Sequence, residues 1–376
     1  MLFKEEKTML KEFLKDYNLP EFPKENTREE CLKLMQEHVY GYLPEKPQSL
    51  NWETVWTPNY CFCAGNASLK KVQLSGKLSN GNDFSFPVYV SLPEGEKGKK
   101  YPFFVMINFR PDVPDRYLPI EEIIDNGFAV LSFCYNDVTK DDNDFTDGLA
   151  GQLFPEGRKN KTDAGKLMMW AWAAMRVMDY AEAALGDVLD FKNAAVTGHS
   201  RLGKTSIITA AYDERFSFCF ANDSGCAGDA LERNHQNYKG CKTRSQDRPE
   251  TIADITKNFP WWFCENYFQY VNNETAMPCD QHFLVAGVYP RHMYHGSAQE
   301  DYWADQINQY MCAYVVGQYY EENGKVGFIC PDRLPLVGER FASGNVAYHL
   351  RPGCHYFSRT DWLYYMDYFK CHLLSL

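Results

Sequence analysis

Apolar residues among the first 45 or so positions recur at helical spacing between Lys and Glu, which predicts two charged amphipathic helices. Leu19-Pro20-Glu21-Phe22-Pro23 separates them, because a proline inside a helix removes a donor and clashes with the preceding turn. Residues 1–50 therefore read as a helical extension packed on a main domain of residues 51–376. From about residue 55 the pattern turns to β. Lys70 to Leu78 and Phe84 to Leu92 predict a hairpin turned by Ser79-Asn80-Gly81-Asn82. Phe103 to Phe109 and Phe128 to Cys134 are short, nearly continuous apolar runs, the kind that form parallel strands buried on both faces.

Lys166 to Leu185 predicts a long helix, and Ala194 to Thr197 a short strand running into Gly198. Ser206 to Ala211 predicts a helix and Phe216 to Ala221 a strand, and Phe283 to Val288 with Met293 to Ser297 supply another. This alternation predicts an α/β fold, a three-layer αβα sandwich on a mostly parallel sheet. Residues 228–260 are polar and irregular, an insertion of the sort that builds the substrate side of such sites.

Composition narrows the class. The 376 residues are 45% hydrophobic and 24% charged, an ordinary globular balance. The net charge of −11 repels phosphates, so nucleic acid is not an expected partner. No apolar run approaches the roughly 20 residues of a membrane span, and Met1 to Tyr17 lacks the apolar core of a signal peptide. A cytoplasmic location is the expectation. The 13 cysteines are scattered and odd in number, which suits reduced, buried thiols better than disulfide staples. Cys61-x-Cys63 and His292-x-x-His295 each lack a second ligand pair, so neither a metal nor another cofactor is expected. The aromatic share of 15% suits a bulky core first and a sugar cleft second.

The candidate chemistry lies at Gly198-His199-Ser200-Arg201-Leu202-Gly203-Lys204-Thr205, between a strand and a helix. The string fits G-x-x-x-x-G-K-[ST], the loop that cradles nucleotide phosphates. It also fits a nucleophile elbow that lifts Ser200 above the sheet, although the second glycine of G-x-S-x-G comes one residue late. A phosphate loop follows the first strand of its domain and needs a later strand ending in Asp for magnesium. Here several strands precede the string and no such strand is evident. An elbow needs an acid and then a histidine, an order that Asp223, Asp301 and His355 provide.

Four ordered motifs carry a resemblance: the string around Ser200, Asn222-Asp223-Ser224-Gly225-Cys226, Glu300-Asp301-Tyr302-Trp303-Ala304-Asp305, and Arg351-Pro352-Gly353-Cys354-His355. From about Tyr101 to the C-terminus the chain resembles the bacterial glucuronoyl esterases, carbohydrate esterase family 15. The resemblance implies an α/β-hydrolase sandwich and hydrolysis of an ester between a glucuronic acid carboxyl and an alcohol. It implies Ser200 as nucleophile, His355 as base, Arg201 beside the oxyanion hole, and Lys204, Glu250 and Trp303 on the uronate ring. A small-molecule or oligosaccharide uronate ester is thus the expected partner.

In such chemistry His355 takes the Ser200 proton and returns it to the departing alcohol. The Arg201 N–H and a second donor from the loop at Asn108 and Phe109 would hold the oxyanion, with the Arg201 guanidinium as a fixed charge. Lys204 lies one helical turn past Ser200, on the same face. The acid is open between Asp301, where most α/β-hydrolases carry it, and Asp223. Bland readings stand beside these: Ser200 as a cap, Trp303 as core, Lys204 as a solvated charge. The competing functions are an acetyl ester hydrolase on xylo-oligosaccharides, a sugar-binding homologue without catalysis, and a phosphate-loop nucleotide binder.

Overall fold

A computed structural model describes residues 8–25, 27–95, 98–235 and 248–373. Ten strands among them form one sheet in the order β1-β2-β3-β5-β4-β6-β7-β8-β10-β9. They are β1 (Ser49–Trp56), β2 (Ala67–Lys77), β3 (Asp83–Pro93), β4 (Tyr101–Asn108), β5 (Ala129–Cys134), β6 (Leu189–His199), β7 (Phe218–Asn222), β8 (His292–Ala298), β9 (Arg340–Phe341) and β10 (Val346–Arg351). Neighbours from β5 to β10 run parallel, and the flanks β1-β2-β3-β5 and β9-β10 are antiparallel.

The central strands are apolar on both faces because helices cover both. Phe103, Val105 and Ile107 of β4 face the helices Lys166–Ala184 and Arg201–Tyr212, whose buried side chains join the same core. Phe104 and Met106 face the helices Ile120–Asp125 and Arg359–Cys371 on the other side. Strand alternation thus splits one apolar run between two cores, giving the three-layer sandwich expected. The hairpin forms as predicted, with Lys77 opposite Asp83 and a turn closed by the Leu78 N–H on Asn82 O at 2.8 Å.

Two expectations need correction. Phe283 to Val288 is not a strand: Gln281–Ala286 is a helix, started by Asp280, whose side chain accepts from the Gln281 N–H. All six of its residues are buried, and a short run without a polar face has no period to tell helix from strand. The sheet also begins earlier than the first predicted strand. β1 is largely exposed, with Trp52, Val55 and Trp56 on the surface, so it has no inward apolar face to reveal it.

The N-terminal helices Thr8–Leu14 and Thr27–Met35 send Leu10, Cys31 and Met35 into the core beneath the sheet. The segment after them is tied to the rest by main-chain bonds, Gly165 N–H to Tyr40 O at 2.9 Å and Cys264 N–H to Val39 O at 3.0 Å. The Tyr40 hydroxyl, fully buried, lies 3.1 Å from Ala227 O and 2.9 Å from Gln281 Oε1. Deleting that hydroxyl strips buried acceptors of a donor. Tyr40→Phe is expected to lose about 1–3 kcal/mol, read as a lower unfolding midpoint in thermal or urea denaturation.

Candidate active site

The register of the parallel strands places four segments side by side. His199 pairs with Asn222 across β6 and β7, Asn222 with Gly296 across β7 and β8, and Gly296 with His349 across β8 and β10. Just past these pairs come Ser200, Asp223, Asp301 and His355. The carboxyl ends of parallel strands are where open α/β sheets bind ligands. One cavity of about 340 Å³ opens there, lined among others by Ser200, Arg201, Lys204, Asp223, Glu250, Asp301, Trp303 and His355. The eight residues that the resemblance implicates, Asp223 and Asp301 both included, therefore line one cavity.

Ser200 has φ 59° and ψ −126°, left-handed backbone that a serine holds only under constraint. Its N–H donates to Asn222 O at 2.8 Å, fixing the turn to β7. A Cβ on Gly198 would lie 2.4 Å from Leu202 O. One on Gly203 would sit 3.0 Å from both Asn222 O and the Ser224 Cβ. The glycine that comes one residue late is the one at which the helix closes against β7. The N–H of Arg201, first residue of that helix, is among the donors that find no acceptor within it.

His355 Nδ1 is 2.5 Å from Asp301 Oδ2, which leaves Nε2 as the nitrogen to take a proton. Asp223, Asp301 and His355 present ligand-type atoms all within 4.8 Å of one another, but it is Asp301 that bonds the ring. Asp223 is buried at φ 45°, with Arg351 Nη2 at 3.3 Å from its Oδ2. Burial and the neighbouring Asp301 push its carboxyl well above the usual range. His199 packs its ring 4.4 Å from that of His355 and holds Asn222 Oδ1 at 2.6 Å through Nδ1. Burial and the neighbouring His355 hold His199 well below the ordinary histidine range, so it packs as a neutral ring.

The Arg201 guanidinium does not act as an open charge. It is paired with Asp141 and lies over Trp262, Phe259 and Phe109 at 4.8, 5.0 and 5.7 Å. Asp141 also accepts from the indole N–H groups of Trp261 and Trp262, at 2.7 and 2.6 Å, and from the Tyr135 hydroxyl at 3.1 Å. The expected second oxyanion donor is also occupied: the Phe109 N–H donates to Asn108 Oδ1 at 2.9 Å. An asparagine just ahead of a free N–H captures it locally.

Lys204 is buried and donates to Ser224 O, which removes the solvated-charge reading. Trp303 is half-buried on the cavity wall, and its carbonyl accepts from the Glu250 N–H at 3.0 Å. Burial pushes the Glu250 carboxyl up to about 7, against the opposing effects of Lys204 and Trp303. Of the irregular insertion, residues 236–247 lie outside the described residues, while Glu250 and Phe259 reach the cavity. His292 and His295 do not act together: His292 Nδ1 meets the Tyr368 hydroxyl at 2.9 Å and His295 Nδ1 meets Asp229 at 2.8 Å.

A family model described as "Glucuronyl esterase, fungi" matches residues 77–324. The chain belongs to the glucuronoyl esterase family. It is 33% identical over 259 residues to carbohydrate esterase MZ0003 of an unknown prokaryotic organism, covering 68% of this chain and 56% of that protein. It is 26% identical to the 4-O-methyl-glucuronoyl methylesterase of Schizophyllum commune, over 79% of this chain and 68% of the relative. Among solved structures, the glucuronoyl esterase from Solibacter usitatus matches with TM-score 0.79 and 27% identity over 92% of each chain. A promiscuous esterase of the same family from a marine bacterial metagenome matches as well, at TM-score 0.79 and 27% identity over 93% and 92%. The fold is accordingly the α/β-hydrolase sandwich of this family. The chain spans little more than half of the MZ0003 esterase, and the family-model match ends before His355.

Glu250 supplies a pH test. Raised from 4.5 to about 7, it is protonated below that value and offers a carboxylate above it. In a Ser200→Ala background, affinity for a glucuronate ester is expected to rise between about pH 6 and 8, as the ionised group gains acceptors and charge toward Lys204. Adding Glu250→Gln should flatten that dependence in titration calorimetry.

Proposed function

We propose that this chain is a serine esterase that hydrolyses esters of glucuronic acid or its 4-O-methyl ether through an acyl-enzyme. The observation that carries the reading is the His355–Asp301 bond of 2.5 Å in the cavity that Ser200 lines. An ester carbonyl resists water because attack places negative charge on its oxygen. Ser200 supplies the nucleophile once His355 Nε2 takes its proton. Asp301 fixes the tautomer with the proton on Nδ1 and steadies the imidazolium that results. His355 then returns the proton to the leaving alcohol, and a water repeats the sequence on the acyl-enzyme.

The developing oxyanion faces the first turn of the Arg201–Tyr212 helix, where the free Arg201 N–H and the positive end of the helix dipole are preplaced. Paired with Asp141, the Arg201 guanidinium contributes through orientation more than through net charge. The acyl side is a uronate because its wall is polar: Lys204 retains two N–H groups beyond the one given to Ser224 O, Glu250 accepts, and Trp303 offers a ring face. An acetyl group would leave these unused. The name of the Schizophyllum commune relative states the same acyl group.

Hydrolysis of a methyl or benzyl ester of glucuronic acid, compared with acetylated xylo-oligosaccharide, tests the proposal. Uronate ester turnover that disappears in Ser200→Ala is expected, and preference for the acetyl substrate would overturn the uronate reading. Asp301→Asn is expected to lower kcat on the order of 10⁴-fold, as loss of the orienting acid does in a serine triad. Asp223→Asn should cost far less, and the reverse ranking would move the acid to Asp223.

A further inference from the structure

The motif Arg351-Pro352-Gly353-Cys354-His355 opens on an arginine and ends in the proposed base. Arg351 closes β10 and is buried. All five of its N–H donors are committed. Nε lies 2.8 and 2.9 Å from the two oxygens of Asp361. Nη1 lies 3.2 Å from both Pro352 O and Cys354 O. Nη2 reaches Asp223 Oδ2 at 3.3 Å and also donates to Tyr356 O.

Those three carbonyls alternate along the loop and flank His355 on either side. The loop therefore curls around one guanidinium, and the left-handed turn needed for the curl falls at Gly353, φ 100°. The anchor at Asp361 is firm. Ser358 caps the helix Arg359–Cys371 in a reciprocal box with Asp361, which also accepts from His349 Nε2 at 2.8 Å. Asp223 follows β7, whose Asn222 carbonyl holds the Ser200 N–H. The loop also meets the segment carrying Asp301, through Gln299 N–H to Arg351 O and Glu300 N–H to Gly353 O, both 2.9 Å.

We propose that Arg351 is the positioning residue of the His355 loop, setting the imidazole between Ser200 and Asp301 through its bonds to the loop carbonyls, Asp361 and Asp223. It touches neither substrate nor the reacting atoms. The proposal rests on the esterase reading above. A planar fork of five donors suits this task, and an ammonium with three donors on one point does not.

The test measures kcat, KM and the rate of Ser200 labelling by a fluorophosphonate in the full chain, its Arg351→Met variant and its Arg351→Lys variant. Arg351→Met is expected to lower kcat and the labelling rate together by roughly 100-fold with KM within about threefold, the scale on which a small displacement of a catalytic group acts. Arg351→Lys, which keeps the charge and one or two bonds, should recover part of both; it also decides the question if Arg351→Met does not fold. Variants that turn over and label like the parent, or that lose only KM, would overturn the proposal. Should the parent label readily but leave glucuronate esters intact, the substrate reading fails alone, and the labelling ratios still judge Arg351.

Discussion

The hydrogen bond from the Ser200 N–H to Asn222 O, 2.8 Å long, lies just beyond the last ladder pair of β6 and β7. It converts the end of a sheet into a turn. With the N–H tied down and Gly203 pressed against the same carbonyl, the chain has one path, back across the sheet as a helix, with Ser200 at its apex in a backbone conformation a serine otherwise avoids. Asn222 contributes its side chain as well, holding His199, whose ring packs against that of His355. A single residue at the end of β7 thus orders the turn on one side and supports the candidate base on the other.

Around that point the protein buries an unusual density of ionisable groups: Asp223, Asp229, His295, Asp301, Arg351 and Asp361 all lie at or behind the strand ends. Burial of a charge is tolerated where it is paired and fully hydrogen-bonded. Arg351 and Asp361 satisfy this rule, and Asp229 is held by His295, the Ser224 hydroxyl and the Gly225 N–H. Asp223 departs from it, with an Oδ1 that lacks a hydrogen-bond partner among the described residues and a carboxyl pushed toward its neutral form. This incompletely paired carboxyl stands beside the acid that bonds His355.

How much of this was legible depended on whether a feature was local. The parallel strands announced themselves, since Phe103 to Ile107 can be apolar without break only if both faces are covered. Seven of the eight candidate site residues were reachable because each sits within an ordered motif, whereas Glu250 lies in the irregular insertion and came from the family resemblance alone. β1 was not legible, because its rings point to the surface, and the helix at Gln281 was mistaken because burial on every side erases its period. Asp141 left no signal either. In the run Asp141-Asp142-Asn143-Asp144 it reads as solvated charge, and its partners Arg201, Trp261 and Trp262 lie 60 to 121 positions away. Arg351 was visible as part of a motif, but the wrapping of a loop around its guanidinium is a property of three dimensions.

Asp141 has a consequence for how such a cavity changes over generations. Its carboxylate serves Arg201, Trp261 and Trp262 at once, so the aromatic wall and the arginine beside the nucleophile share one anchor. Width and polarity of the pocket are therefore not separate traits. A substitution that widens the cavity at Trp262 also takes a ring face from the guanidinium next to Ser200 and a donor from the carboxylate that holds it.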